Sequence, residues 1–588
     1  MSIEKITYIG ATDSRGKEQA FGIRPTDRAK HMYVIGKTGM GKSVLLENMA
    51  IQDIQNGEGL AFIDPHGSTA EKLLDYIPEH RIKDVVYFAP FDMDNPVAFN
   101  VMEDIGYEKR HLVVSGLMSA FKKIWVDAWS ARMEYVLSNV LLALLEYPDS
   151  TLLDVNRMLS NKIFRNKVIK NITDPMVKSY WTEEYAGYTE RFAAEMIPAI
   201  QNKVGQFTSN PLIRNILGQP KSSFDLREIM DNKRIFIANL SKGQMGETNA
   251  DLIGSMLTTK IYLSAMSRAD ESSAVQAGLP PFYFYVDEFQ SIANDSFADI
   301  LSEARKYKLA LIIAHQFIAQ MGDNVRDAVF GNTGTIISFR VGPFDAEVLE
   351  TIFKPKFFAD DIVNLGKYQI YLTLMIDGAG SPPFSASTLP PIKEPEVSFR
   401  EQILEMSRRN YGCPREKIEE AIKNRNQLDA PQQSVSKKTV DKSPKKNYQN
   451  QQHHTDQTKD YKDIKKKDTE HNNKKNEVYK KEKQTISLNS LKFRRQDNKG
   501  PSNAQKSLLR EALQSVQNTK EDKKPKKIEP KKLRSVVPTN VKTPNTQTKL
   551  RTEPHSQSKA KEEKKEESSE TPKEVSKEVL ENILRDDK

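Results

Sequence analysis

Residues 32–44 read Met32-Tyr33-Val34-Ile35-Gly36-Lys37-Thr38-Gly39-Met40-Gly41-Lys42-Ser43-Val44. The first four form the apolar, β-favouring end of a buried strand. The next eight fit G-x-x-x-x-G-K-[ST], and from Val44 to Ala50 apolar residues return at helical spacing. A strand that passes through such a loop into a helix turns a nest of backbone N–H groups toward phosphate, backed by the positive end of the helix. Gly36, Lys37, Thr38, Gly39, Met40, Gly41, Lys42, Ser43 and Val44 are therefore the expected nucleotide-binding residues. Lys42 is expected to reach the β- and γ-phosphates of ATP, and Ser43 to ligate Mg2+. Strand, loop and helix in this order make the fold α/β.

Outward from the loop, strands and helices alternate. An apolar run at 59–64 ends in Asp64-Pro65-His66-Gly67, a helix is expected over 69–77, and a further strand over 85–88. Upstream, residues 3–9 read as a short strand and 10–28 as a turn-rich lead-in. Between 103 and 225 strand patterns stop. Helical periodicity marks 112–124, 131–145, 152–159, 161–172 and 193–207, an all-helical insertion containing Trp125, Trp129 and Trp181 as core aromatics. The sheet then resumes, with strands expected at 234–240, 282–287, 309–314, 335–339 and 369–375. Prolines 382–383 and 390–391 close the body, and short helices follow at 398–410 and 414–425.

The 588-residue chain carries a net charge of +9 and a mean hydropathy of −0.61. Both values reflect one end. Residues 426–588 hold about 40 basic and about 25 acidic residues, which leaves the first 425 at about −6. Such a tail cannot bury enough apolar surface to offset its ordering entropy and is expected to be disordered. Apolar residues on one face of 574–584 read either as a partner-binding helix or as residual helicity without a partner. Its lysine runs suit either nucleic-acid phosphates or a solubilising linker. The single cysteine, Cys413, excludes an internal disulfide and fits a reducing compartment. No apolar run reaches the roughly 20 residues that a membrane-crossing helix needs, and the N-terminus has no signal-peptide pattern. The chain reads as cytoplasmic, with no direct membrane insertion and any membrane recruitment made through a partner.

Hydrolysis needs acids as well as a loop. Phe282-Tyr283-Phe284-Tyr285-Val286 runs directly into Asp287-Glu288. Asp287 is expected to hold the Mg2+ shell with Ser43, and Glu288 to orient or deprotonate the attacking water. Gln316, at the end of the next strand, is either a γ-phosphate sensor or a loop amide.

Taken in order, GKTGMGKS, IDPHG, FYVDEFQ, SEARKYKLALIIAHQ and GNTGTIISFRVGPFDAE resemble the HerA/FtsK superfamily of DNA-translocating ATPases, and within it the TraG/TraD-type coupling proteins of conjugation and type IV secretion. The resemblance spans roughly residues 20–390. It implies a RecA-like core in two parts, 1–102 and 226–395, with an inserted all-α domain at 103–225 lying at the mouth of a ring; pattern and composition add a short helical extension at 396–425 and the basic tail at 426–588. It implies a homo-hexamer acting on DNA, most simply duplex DNA, with ATP and Mg2+, and alongside a relaxase, nuclease or membrane-channel partner. Arg305 matches the position from which an arginine reaches the neighbouring subunit's nucleotide, with Arg340 the second candidate; Lys242 is a candidate DNA contact. The function implied is an ATP-hydrolysing DNA pump of the coupling type. The alternatives are a processing or packaging motor that works with a nuclease, and a nucleotide-gated scaffold that recruits secretion substrates.

Overall fold

The computed structural model describes residues 5–14 and 17–427. The expected features of the tail, including the helix at 574–584, lie outside the described residues. In chain order the strands are β1 (Thr7–Ser14), β2 (Lys17–Ile23), β3 (Met32–Ile35), β4 (Gly59–Asp64), β5 (Val85–Phe88), β6 (Ile235–Asn239), β7 (Phe282–Val286), β8 (Leu309–His315), β9 (Thr335–Ser338), β10 (Gln369–Thr373), β11 (Met375–Ile376), β12 (Ala379–Gly380) and β13 (Phe384–Thr388). β11 and β12 pair with each other, and the remaining strands form one eleven-stranded sheet ordered β2-β1-β13-β10-β9-β3-β8-β7-β4-β6-β5. From β9 to β5 all pairings are parallel; from β2 to β9 all are antiparallel.

Strands β3, β4, β6, β7 and β8 are buried along their whole length, as parallel strands covered on both faces must be. Side chains alternate between two cores. Tyr33, Ile35, Ala61, Ile63, Phe284 and Val286 face one. Met32, Val34, Leu60, Phe62, Tyr283 and Tyr285 face the other, where the loop helix Lys42–Gln55 packs Leu45, Leu46, Met49 and Ile54. Behind that helix lies a buried ion pair. Arg28 donates to both Asp53 oxygens at 2.7 and 2.8 Å and to the Tyr285 hydroxyl at 2.6 Å, with its guanidinium 3.7 Å from the Tyr283 ring centroid.

Between β5 and β6 the chain is helical, with long helices at Arg110–Ile124, Ala131–Leu145, Lys162–Asn171 and Glu190–Thr208. Ser130, Asn161 and Thr189 each accept a backbone N–H at the helix start, which explains why these periodic runs begin where they do. Trp181 is buried, and Trp125 and Trp129 are partly buried and stacked on each other.

After β13 two helices, Arg400–Tyr411 and Arg415–Gln427, run from the β5 edge to the helical segment. Ser407 bonds the Tyr87 backbone on β5. Cys413 and Arg415 donate their N–H groups to Pro96 and Asp94, and Arg425 pairs with Asp154 at 2.6 Å.

Two local expectations are corrected. The stretch 10–28 is not a turn-rich lead-in: β1 and β2 form a hairpin through it, with a bulge at Tyr8/Gly10. Gly10 marks close packing instead of a turn, since a Cβ there would lie 2.5 Å from the Ser387 carbonyl oxygen. The prolines at 382–383 do not close the body, because β13 follows them and pairs with both β1 and β10; those at 390–391 do come after the last strand.

Candidate nucleotide site

Parallel register brings the candidate residues to one edge of the sheet. Ile35 of β3 pairs with His315 of β8, Val286 of β7 with Ile313 of β8, and Ile63 of β4 with Val286. Gly36, Gln316, Asp287 and Glu288 therefore leave their strands side by side. The loop between Gly36 and Gly41 turns through positive φ at Gly39 (77°) and Gly41 (121°), conformations that suit glycine. Its rim, Lys37 to Gly39, is exposed, as is Ser43. The Lys42 ammonium is buried and folds back onto the Gly36 carbonyl at 2.7 Å. Burial lowers its pKa, against the pull of Glu288 and Asp287.

Ser43 donates its hydroxyl to Asp287 Oδ2 at 2.8 Å. One hydroxyl and one carboxylate, beside a phosphate nest, match the sparse protein ligation that Mg2+ accepts when phosphate and water complete its octahedron. Burial holds the Asp287 carboxyl above the usual range, with Glu288 and Asp64 adding to it and the Ser43 bond opposing it; a divalent cation would reverse that balance. The residues present fit ATP and Mg2+.

Glu288 sits at φ 47°, a left-handed conformation uncommon for a side-chain-bearing residue and typical of functional turns. Its carboxylate is held from three sides. Gln316 donates to Oε1 at 2.5 Å, Gln290 donates to Oε2, and His66 Nε2 lies 3.9 Å from Oε1. Burial alone would raise its pKa. The nearby His66 ring, the hydrogen bonds from Gln316 and Gln290, and the Lys42 charge outweigh burial and bring it to about 2. Gln316 also accepts the Thr38 hydroxyl at 3.2 Å, so the amide spans the phosphate loop and Glu288.

Arg305 lies elsewhere. It is exposed in the 3₁₀ turn Ala304–Tyr307 that precedes β8, at the opposite strand end from Gln316. Seven residues of β8 separate the two ends by roughly 20 Å, so this side chain does not reach its own chain's loop. Arg340 stands beside the loop, its carbonyl accepting the Lys37 N–H at 2.8 Å. The Lys242 ammonium is taken up by Ser291, Glu247 and Asp251 at 2.9–3.2 Å.

His66 was not among the expected site residues. Asp64 fixes it by accepting the N–H groups of His66 and Ala70 at 2.8 and 2.9 Å, and the neighbouring Glu288 carboxylate raises its pKa above the ordinary histidine value. The only sequence signal was its position at the end of β4, the strand next to β7.

A central parallel sheet with a phosphate loop on β3 and an acid pair on β7 defines a P-loop nucleotide-binding core of the α/β class. The family described as type IV secretion-system coupling protein DNA-binding domain matches residues 21–346, more than half of the chain, and the chain belongs to that family. Among solved structures it is similar to the plasmid coupling protein TrwB in complex with a non-hydrolysable GTP analogue, with 15% identity over 68% of this chain and 98% of that one and a TM-score of 0.47. It is also similar to TrwB in complex with ADP and Mg2+, with 14% identity over 64% and 89% of the two chains and a TM-score of 0.46. VirB4 of Thermoanaerobacter pseudethanolicus matches with 14% identity over 67% and 97% and a TM-score of 0.43. No curated protein matches. No helix among the described residues is long and apolar enough to cross a membrane.

Proposed function

We propose that the chain hydrolyses ATP with Mg2+ and uses the energy to translocate DNA, most simply duplex DNA, through a homo-hexameric ring. The observation that carries this reading is the double role of Gln316, which bonds Thr38 on the phosphate loop and Glu288 beside the Mg2+ ligands. A link of this kind lets the presence of a γ-phosphate alter the group that activates water. In this reading Lys42 and the loop N–H groups hold phosphate, Ser43 and Asp287 hold Mg2+, Glu288 orients and deprotonates the water, and Arg305 completes the site of an adjacent subunit. Arg305 is exposed at the far end of β8, away from its own chain's loop, which is consistent with a role in trans. DNA as the cargo rests on the family's DNA-binding domain. The helices of 103–225 are taken as the unit that meets DNA at the ring mouth.

The test is ATP turnover with and without duplex DNA across a salt series. A DNA pump gives turnover that rises with DNA, an effect that fades as salt displaces the phosphate contacts. Turnover indifferent to DNA overturns the pump in favour of a nucleotide-gated scaffold.

A further inference from the structure

We propose that Tyr368 is the platform on which the base of the bound nucleotide stacks; the proposal rests on the nucleotide reading of the site. The strand order sets the direction in which a nucleotide must lie. Gln316 follows β8, and Asp287 and Glu288 follow β7, both on one flank of β3. With the γ-phosphate facing those groups, the nucleoside end points to the other flank, over β9 and β10. Strand β10 is antiparallel to β9, so its beginning lies at the same sheet edge as the phosphate loop.

Tyr368 stands at that beginning. Its N–H donates to the Met40 carbonyl at 3.1 Å, and its own carbonyl accepts the Thr388 N–H at 2.9 Å. These bonds hold it at φ 66°, a left-handed conformation unusual for an aromatic residue and one that clusters at ligand clamps. The ring lies against the loop itself: a Cβ on Gly41 would sit 2.8 Å from Tyr368 Cδ1. Yet the residue is 38% exposed. An aromatic ring fixed on a phosphate loop and left open to solvent is what base stacking requires. The Lys367 ammonium, 4.7 Å from the ring centroid, belongs to an exposed side chain that can swing toward phosphate and free the ring face.

The experiment compares binding of Mg-ATP and of inorganic tripolyphosphate, which has no base, by titration calorimetry. Variants are Tyr368→Ala, Tyr368→Phe and Tyr368→Leu, the last keeping apolar bulk against Gly41. Stacking predicts that Tyr368→Ala and Tyr368→Leu weaken ATP roughly tenfold or more, leave tripolyphosphate unchanged, and that Tyr368→Phe restores ATP binding. Equal weakening of both ligands would mean that Tyr368 only shapes the loop, and unchanged ATP binding would mean that the base lies elsewhere; either result overturns the proposal. If the wild type binds neither ligand, the nucleotide reading itself fails, an outcome that is distinct from failure of the stacking.

Discussion

The Gln316 amide lies 2.5 Å from Glu288 Oε1. The bond ties together the ends of two adjacent strands, β8 and β7, and its other side reaches Thr38. A carboxylate held this way is aimed and ionised before any substrate arrives.

Glu288→Gln should therefore bind ATP normally and turn it over about 10²- to 10⁴-fold more slowly. Gln316→Ala should lower kcat by less and leave ATP affinity within a few-fold, because it removes the link and keeps the carboxylate. Equilibrium binding set against steady-state phosphate release checks both. Wild-type turnover by Glu288→Gln would remove that residue from the chemistry.

Arg305→Ala should assemble like the wild type and be inactive alone. Mixed with Lys42→Ala subunits it should recover part of the turnover, since some interfaces then pair an intact loop with an intact arginine. The recovery is read as ATPase rate against mixing ratio. A flat line at zero would argue against the trans role.

Asp53→Ala leaves the Arg28 guanidinium, about 1% exposed, without its carboxylate. Breaking one side of a buried pair costs about 3–5 kcal/mol, so the urea midpoint should fall markedly. Replacing both partners with apolar residues should cost less than Asp53→Ala alone. Equal losses for the single and double variants would mean that the pair matters only for packing.

His31 is buried, with Nδ1 accepting the Leu311 N–H at 3.0 Å, and burial lowers its pKa to about 4. The unfolded chain, with an ordinary histidine near 6.5, takes up a proton that the folded chain refuses between about pH 6.5 and about pH 4. The stabilisation is complete above that range and is lost as pH falls through it, at up to about 1.4 kcal/mol per pH unit. His31 sits at φ 63°, and His31→Asn, which tolerates that left-handed backbone, should flatten the slope of denaturation midpoint against pH.

The parts legible in the sequence share one physical property. β3, β7 and β8 lie in the middle of a covered sheet, so each reads as an unbroken apolar run, and the loop and the acids follow such runs directly. Beyond the start of β1, which falls in the strand expected at 3–9, the hairpin β1–β2 and strand β13 did not read as strands because they lie in the antiparallel part, with one face open. Their exposed residues, Lys17 to Gln19 on β2 and Ser385 and Ser387 on β13, look like loop. The roles of His66 and Tyr368 were not legible for another reason. Each reaches the site through strand order, β4 beside β7 and β10 beyond β9, and no local pattern encodes which strands become neighbours.

The two helices after β13 strap the β5 edge of the sheet to the helical segment, through Ser407 on Tyr87 and Arg425 on Asp154. A label or fusion joined just beyond Gln427 would thus ride on the helical segment and report its tilt, with little response at the phosphate loop itself. The same strap acts as a tether: any swing of the helical segment away from the sheet must either carry these helices with it or first release Asp154 from Arg425.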